Sequence, residues 1–410
     1  MTDTIIIGGG PAGLFAAIFA AQKGEEVLLL EKNDSPGQKL LLTGKGRCNL
    51  TSTLRPGEVL EQVFQSSDFL YSALFSFTPG DTQNFFRNKG LKLKEERGRR
   101  IYPKSDDASD VKKTLIQTAR KKGVNIKTNT EVKKLLGDNI FKGVKTAQGK
   151  VFQAKRVVLA AGGFTYPSTG SNGSGFKLAA ELGHSLQPAP EPALVPLKVS
   201  ENWLQEVEGL ILKNIKLSLF LGEEKLFEDI GELELREKEI GGPLALAASC
   251  HYSNKKNTGE RSFEIYLDLK PGLDFAKLDA RLQRDFAKYS NKHYKNVFQD
   301  LLPAWLRPVL VDLSEIAPDK KVHQINVEER KKICKLLKNL KLTVKNNAGV
   351  EKAIITRGGI NTAEVNPGTM ASKIIPGLYF AGEILAPAAY TGGHNLQIAF
   401  STGYLAGISG

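Results

Sequence analysis

The stretch from Asp3 to Lys32, "DTIIIGGGPAGLFAAIFAAQKGEEVLLLEK", constrains this chain more than any other. Ile5, Ile6 and Ile7 form a short β-branched apolar run, which suits a strand buried on both faces. Gly8, Gly10 and Gly13 follow at G-x-G-x-x-G spacing. An alanine-rich helical segment then reaches about Lys23, and a second apolar run, "EVLLLE", ends at Glu31. Gly8 permits a tight turn, Gly10 lets the backbone approach a pyrophosphate, and Gly13 lets the helix lie close on the strand. The N–H groups at the helix start carry partial positive charge and suit phosphates. Glu31 falls at the spacing at which an acid accepts from ribose hydroxyls. A lone glycine motif is weak evidence. Strand, helix, second strand and terminal acid together predict a dinucleotide-binding β-α-β unit.

Three further stretches extend this unit. "KNDSPGQKLLLTGKGRCNLTS" (32–52) is rich in loop formers and carries Lys39, Thr43, Gly44, Lys45, Gly46, Arg47 and Asn49, suited to a second polar or anionic group near the first. "FQAKRVVLAAGGFTYP" predicts a strand over 156–159 running into Ala160, Ala161, Gly162 and Gly163, small residues that admit a bound cofactor. Near the end, "GLYFAGE" predicts a strand ending in Gly382 and Glu383. The doublet Gly392–Gly393 and a helix from about Asn395 to Ala406 follow it. The first and last segments are expected to return to one sheet, with other material inserted between them.

The length, 410 residues, favours two or three compact units. Residues 100–125 read as a turn and a helix with acids in its first turn and lysines in its last. From about Pro192, short alternating runs such as "LKNIKLSLFLGEEKLFE" and "RSFEIYLDLK" suggest an antiparallel sheet or small barrel. Residues 274–340 are helix-patterned, and Asn326 with Glu329 is a capping-box start. The expected division is a dinucleotide domain at 1–192 and 350–410, an inserted β domain at 193–273 and 341–349, and a helical subdomain at 274–340. The insert is expected to cover the cofactor and shape a substrate pocket. No second G-x-G-x-x-G follows a strand, so a dedicated NAD(P)H domain is not expected.

Cys48, Cys250 and Cys334 form no C-x-x-C pair, which argues against a dithiol centre or zinc ribbon, and the five histidines lack metal spacing. The uncharged run from Thr4 to Gln22 has Asp3 before it and glycines and a proline within it. It reads as strand, turn and helix, not as a leader or span, and points to the cytoplasm. The net charge of +13 gathers in "LKLKEERGRR", "KKTLIQTARKKG" and "KKICKLLKNLKLTVKN". Such runs are commonly solvated helix faces; the alternative is a docking surface for an anionic substrate, nucleic acid or lipid. They lack the interleaved aromatics of single-strand binding.

Seven stretches together carry a family resemblance: "GGGPAGLFAA", "QKLLLTGKGRCNLT", "GRRIYPKSDDASDV", "AAGGFTYPSTGSNGSGFKLAAELGHSL", "PALVPLKV", "GELELREKEIGGPLALAAS" and "YFAGEILAPAAYTGGHNLQIAFSTGYLAG". Over nearly its whole length the chain resembles bacterial FAD-dependent oxidoreductases of the BaiN/RdsA type, also labelled the aminoacetone oxidase family. The resemblance implies an α/β fold with a Rossmann-like FAD-binding domain, bipartite in sequence, and an inserted antiparallel β domain carrying a helical subdomain. It implies noncovalent FAD, with Gly8, Gly10, Pro11, Ala12 and Gly13 on the pyrophosphate and Glu31 and Lys32 at the adenosine ribose. It brings Lys39, Thr43, Gly44, Arg47 and Asn49 to the ribityl chain and flavin, and the Val132 backbone to the adenine. Ala161 and Gly162 would flank the nucleotide, and Gly382 and Glu383 would approach the ribityl chain. Gly393, His394, Asn395 and Leu396 would present a helix start to the flavin. The chain departs from the family pattern at His394, where an aromatic residue is common. It departs also at 385–389, where "LDVDG" is frequent, and at Arg236 and Glu237, where a Thr-His pair is common.

The expected function is hydride transfer through FAD. The donor is NAD(P)H, binding transiently, or an amine or hydroxyl substrate; the acceptor is an organic molecule or oxygen. The alternative is a flavoprotein that binds or modifies RNA. Candidate catalytic side chains are His394, a proton donor or a structural substitute for the ring, and Arg357, an anion-binding or packing group.

Overall fold

The computed structural model describes residues 2–252 and 262–410. The chain forms two compact units, residues 1–193 with 350–410 and residues 194–349. Arg261, at the head of the expected strand "RSFEIYLDLK", lies outside the described residues.

In the first unit, β1 (Thr2–Ile7) leads through the glycine loop into α1 (Pro11–Gln22) and then β2 (Val27–Leu30). The helix α2 (Ala108–Lys121) precedes β3 (Asn125–Lys127); then come β4 (Val151–Leu159), β5 (Leu378–Phe380) and the terminal helix α3 (His394–Ile408). These strands form a parallel sheet in the order β3-β2-β1-β4-β5. Ile7 is level with both Leu30 and Leu159, and Leu159 is level with Phe380. β2, β1, β4 and β5 therefore end at one edge, the edge at which open α/β sheets bind ligands. Ile5 and Ile6 are fully buried, as a strand covered on both faces requires.

β4 is longer than the sequence suggests because its first half pairs antiparallel with Gly143–Thr146, a neighbour that local patterning does not reveal. Arg100–Pro103, read as a turn, is a strand between Thr51–Ser52 and Leu93–Glu96. Its partners are short and show no apolar alternation, so only the pairing makes it a strand.

α1 and α3 come from opposite ends of the chain and pack against each other, with Phe15 and Phe400 ring centroids 4.5 Å apart. α3 is buried almost throughout and is held by polar contacts as well. Gln397 accepts from the hydroxyls of Thr51 (2.7 Å) and Thr82 (2.8 Å) and donates to the Phe77 carbonyl (3.0 Å). A buried amide so fully paired gives the helix one orientation.

The second unit is a closed antiparallel barrel of six strands, from Leu197–Val199 through Glu239–Gly241, Glu224–Leu235, Ile211–Leu221 and Phe263–Asp268 to Leu340–Asn347. The helices Phe275–Lys288, Leu306–Ser314 and Val327–Lys338 share its apolar core. The last begins at the Asn326–Glu329 capping box, with both reciprocal bonds at 2.9 Å.

Candidate functional site

The glycine loop is built by close contact. Gly8 has φ +100°, and a Cβ there would stand 2.5 Å from the Ala160 carbonyl oxygen at the end of β4. A Cβ at Gly13 would stand 1.9 Å from the Gly8 oxygen, which brings the start of α1 onto β1. At Gly10 the same position meets open space, so the N–H groups of Ala12 and Gly13 begin the helix beside an unfilled approach.

Glu31 directly follows β2 in a buried position. One carboxylate oxygen accepts from Gly9 N–H at 2.7 Å and the other from Asn33 N–H at 2.8 Å. Lys32 reaches Asn172 at 2.9 Å, and burial lowers the pKa of its ammonium. The loop 169–172 thus lies on the segment after β2. Within it, the Ser171 hydroxyl is buried with no hydrogen-bond partner among the described residues, 3.4 Å from where a Gly162 Cβ would be. Thr130 donates its N–H to the Glu31 carbonyl, and Val132 begins its strand two residues later.

After β5, Gly382 lies against Ala12 and donates its N–H to the Thr402 hydroxyl at 2.9 Å. Glu383 pairs with Lys39 at 2.8 Å and accepts from Thr356 N–H at 2.7 Å, while Lys39 also donates to Thr165 at 2.8 Å. Thr165 and Thr356 were not singled out by sequence. The one signal for Thr165 is its position just past the "AAGG" that ends β4.

The Thr43–Asn49 loop is shaped by four residues at positive φ, Gly44, Lys45, Gly46 and Cys48. Arg47 is engaged by Glu96 (2.9 Å) and lies over the Tyr102 ring. Asn49, with its amide oriented to satisfy both ends, accepts from Gly393 N–H at 3.1 Å and donates to the Thr51 carbonyl at 3.0 Å. Gly393 has φ +89°, and a Cβ on it would stand 2.8 Å from the Thr51 oxygen. Gly393 therefore serves a close approach to Thr51, whereas a Cβ at Gly392 would stand 2.3 Å from Nε2 of the His394 ring. Asn395 clasps Ala389 through bonds of 3.0 and 2.7 Å to its backbone. The free N–H groups of His394, Asn395 and Leu396 open α3.

His394 is buried, and its Nδ1 has no hydrogen-bond partner among the described residues. Burial, reinforced by the charge of Arg100, pushes its pKa down to about 4, so the imidazole is neutral at pH 7. Arg357 pairs with Glu191 across adjacent strands and stands apart from the glycine loop in sequence and strand pairing. Cys48 is buried and its thiol is pushed up to about 12 by desolvation, which makes it a packing group.

A second cluster has the atom pairs of a charge-relay triad: His184 lies 2.8 Å from the Ser372 hydroxyl and 3.1 Å from Glu364. The Ser372 oxygen already accepts from Ile374 and Ile375 N–H, at 3.0 and 2.8 Å. Its lone pairs are occupied, so the cluster ties segment 184–185 to the 364–375 loop.

The glycine loop, Glu31, the end of β4 and the Lys39–Glu383 pair thus meet at one sheet edge, with an unpaired hydroxyl and an open helix start among them. This donor set fits FAD, whose phosphates suit the start of α1 and whose hydroxyls suit Glu31 and Ser171. The HI0933-like protein Rossmann domain family matches residues 2–409. The chain belongs to this family. Among curated relatives, this HI0933-like chain is 34% identical to a 3-dehydro-bile acid delta(4,6)-reductase of Clostridium scindens, over 98% of this chain and 97% of the relative. It is 28% identical to a ribosomal RNA dihydrouridine synthase of Escherichia coli K12, over 98% and 96%. A solved 3-ketosteroid delta1-dehydrogenase from Sterolibacterium denitrificans shares the fold, with a TM-score of 0.52 at 15% identity, covering 99% of this chain and 98% of that one. The HI0933-like chain is an FAD-dependent oxidoreductase. No helix among the described residues is long and apolar enough to cross a membrane.

Proposed function

We propose that this chain is a cytoplasmic reductase that adds two hydrogens across a carbon–carbon double bond conjugated to a carbonyl, using NAD(P)H as electron source. The observation that carries this reading is the reaction shared by its full-length relatives. A delta(4,6)-reductase and a dihydrouridine synthase both name hydrogen added to a double bond. FAD, when bound, supplies hydride acceptance and donation.

The protein's part is positioning and electrostatics. The starts of α1 and α3 each offer unpaired N–H groups and the positive end of a helix dipole to negative charge. In this reading Gly8, Gly10, Pro11, Ala12 and Gly13 hold the pyrophosphate, Glu31 and Lys32 the adenosine ribose, and Lys39 with Glu383 the ribityl chain. The neutral His394 supports the α3 start as a packed ring and does not supply a proton from an imidazolium. NAD(P)H binds transiently, since no second glycine fingerprint follows a strand.

The test is anaerobic mixing of FAD-loaded protein with NADH or NADPH while flavin absorbance is followed. Bleaching, then recovery on adding an unsaturated 3-oxo steroid and not its saturated ketone, is the expected result. A protein that binds no FAD on reconstitution, or whose reduced flavin is reoxidised by oxygen alone, overturns the reading.

A second reading makes the acceptor a uridine carried on RNA. The net charge of +13 and the E. coli relative of that name favour it.

A further inference from the structure

The positive charge of this chain is concentrated in one place. Residues 87–134 contain sixteen lysines and arginines against six aspartates and glutamates, a surplus of ten out of the chain's thirteen. The segment lies within the first unit. It runs from the end of the helix Pro79–Asn88 through the hairpin of Leu93–Glu96 and Arg100–Pro103, then α2, then the edge strand β3. Consecutive elements stay together: the two hairpin strands pair, the second packs on α2, and β3 pairs with β2.

Part of this charge is neutralised internally. Lys94 pairs with Glu96 and Asp106, Arg99 with Glu58, and Lys133 with Glu131. The exposed side chains of Arg97, Lys104, Lys113, Arg120, Lys121 and Lys122 form no salt bridge among the described residues. Lys113 and Arg120 are seven residues apart on the exposed face of α2, about 10 Å along the axis. Like charges held this close in a folded surface repel one another, and a polyanion relieves that repulsion by displacing its own counterions.

The segment also says which polyanion. None of the protein's exposed large apolar side chains lies between residues 87 and 134, so the surface has nothing to insert into a bilayer. It lacks exposed aromatics on which unpaired bases stack. Cations on a hairpin tip and along a helix, without stacking groups, suit the phosphates of a folded RNA, recognised by shape and backbone.

We propose that the basic belt of residues 87–134 is a docking surface for the phosphate backbone of a structured RNA. The proposal rests on the second reading above and locates the partner on the protein. Two variants of the FAD-loaded full chain test it: Lys113→Glu/Arg120→Glu/Lys121→Glu on α2, and Arg97→Glu/Lys104→Glu on the hairpin. The control is Lys238→Glu/Lys335→Glu/Lys345→Glu, which reverses three exposed lysines of the second unit. Retained FAD reports folding. Binding of a labelled RNA hairpin is followed by anisotropy between about 50 and 200 mM salt.

The expected result is wild-type and control binding that weakens steeply with salt. Affinity should fall at least about tenfold in each belt variant, with the log–log salt slope of the α2 triple variant shallower by about 2 to 3. RNA bound equally by wild type and both belt variants overturns the surface and leaves the RNA reading standing. No RNA bound by wild type at about 50 mM salt overturns both. Capture on phosphatidylserine vesicles with no RNA binding assigns the belt to a membrane and overturns the proposal.

Discussion

Gly403 in α3 lies on the backbone of Ala12 in α1: a Cβ at 403 would stand 2.4 Å from the Ala12 carbonyl oxygen. One turn later Gly407 repeats the contact, with its Cβ position 2.7 Å from the Ala16 oxygen. Two glycines spaced four apart let helices from opposite ends of the chain approach more closely than side chains allow. The helix that starts beside the glycine loop is thereby held against the helix that closes the chain.

Gly403→Val should therefore destabilise the first unit and release FAD. Overpacking costs about 1–3 kcal/mol. Even Gly403→Ala should lose stability, although alanine gains about 1 kcal/mol in helix propensity over glycine. Urea denaturation with flavin fluorescence measures both effects. Unchanged midpoints would show that the helices separate freely.

Glu31→Gln keeps the shape of the side chain and removes its charge. An amide has a single acceptor oxygen, so of the two N–H bonds from Gly9 and Asn33 one loses charge assistance and the other is lost, its N–H facing the new NH2 group. FAD should bind at least about tenfold more weakly, equivalent to 1.4 kcal/mol, and the FAD-free protein should itself lose about 1–3 kcal/mol of stability, because a buried N–H is left unpaired. Titration of the reconstituted protein with FAD separates these quantities.

The Lys39–Glu383 pair joins the loop after β2 to the end of β5, and its side chains are only 21% and 25% exposed. Lys39→Met leaves Glu383 with the Thr356 N–H at 2.7 Å and the Thr165 hydroxyl at 3.3 Å as its remaining donors, and no cation. The variant should lose about 1–2 kcal/mol of stability, and Lys39→Met/Glu383→Gln should recover part of it. A double-mutant cycle by chemical denaturation gives the coupling directly.

His394 titrates near 4 when folded and near its ordinary value of 6.5 when unfolded. Between those values the unfolded chain binds more protons, so stability rises with pH there and falls on acidification from pH 6.5 towards 4. The slope from this group is at most about 1.4 kcal/mol per pH unit. His184, also depressed by burial, adds in the same direction. His394→Phe should flatten the decline without abolishing it. Denaturation midpoints at pH 7.5 and 5 for both proteins check this.

Cys48, with its thiol raised to about 12, should resist a thiol reagent at pH 8 in the folded protein and react once unfolded. Fast native labelling at Cys48, located by peptide mapping, would mean that the 43–49 loop opens readily.

Much of the site was legible before the fold. The unit from Ile5 to Glu31 has one local geometry, and each part has its own residue type. The capping box at Asn326 is equally local. The strand Arg100–Pro103 escaped because its partners, not its own pattern, make it a strand. Asn49 and Gly393 were expected at a ligand; each answers first to the other and to Thr51, a contact that spans most of the chain.

The sequence by itself determined where glycine, acid and apolar strand must follow one another, because turn, helix start and buried strand are set by neighbours a few residues apart. Only the tertiary structure decided that α3 closes on α1, that Lys39 meets Glu383, and that His394 is buried and neutral. Those facts depend on packing distance and on the cost of desolvating a charge, and both arise only when segments hundreds of residues apart come into contact.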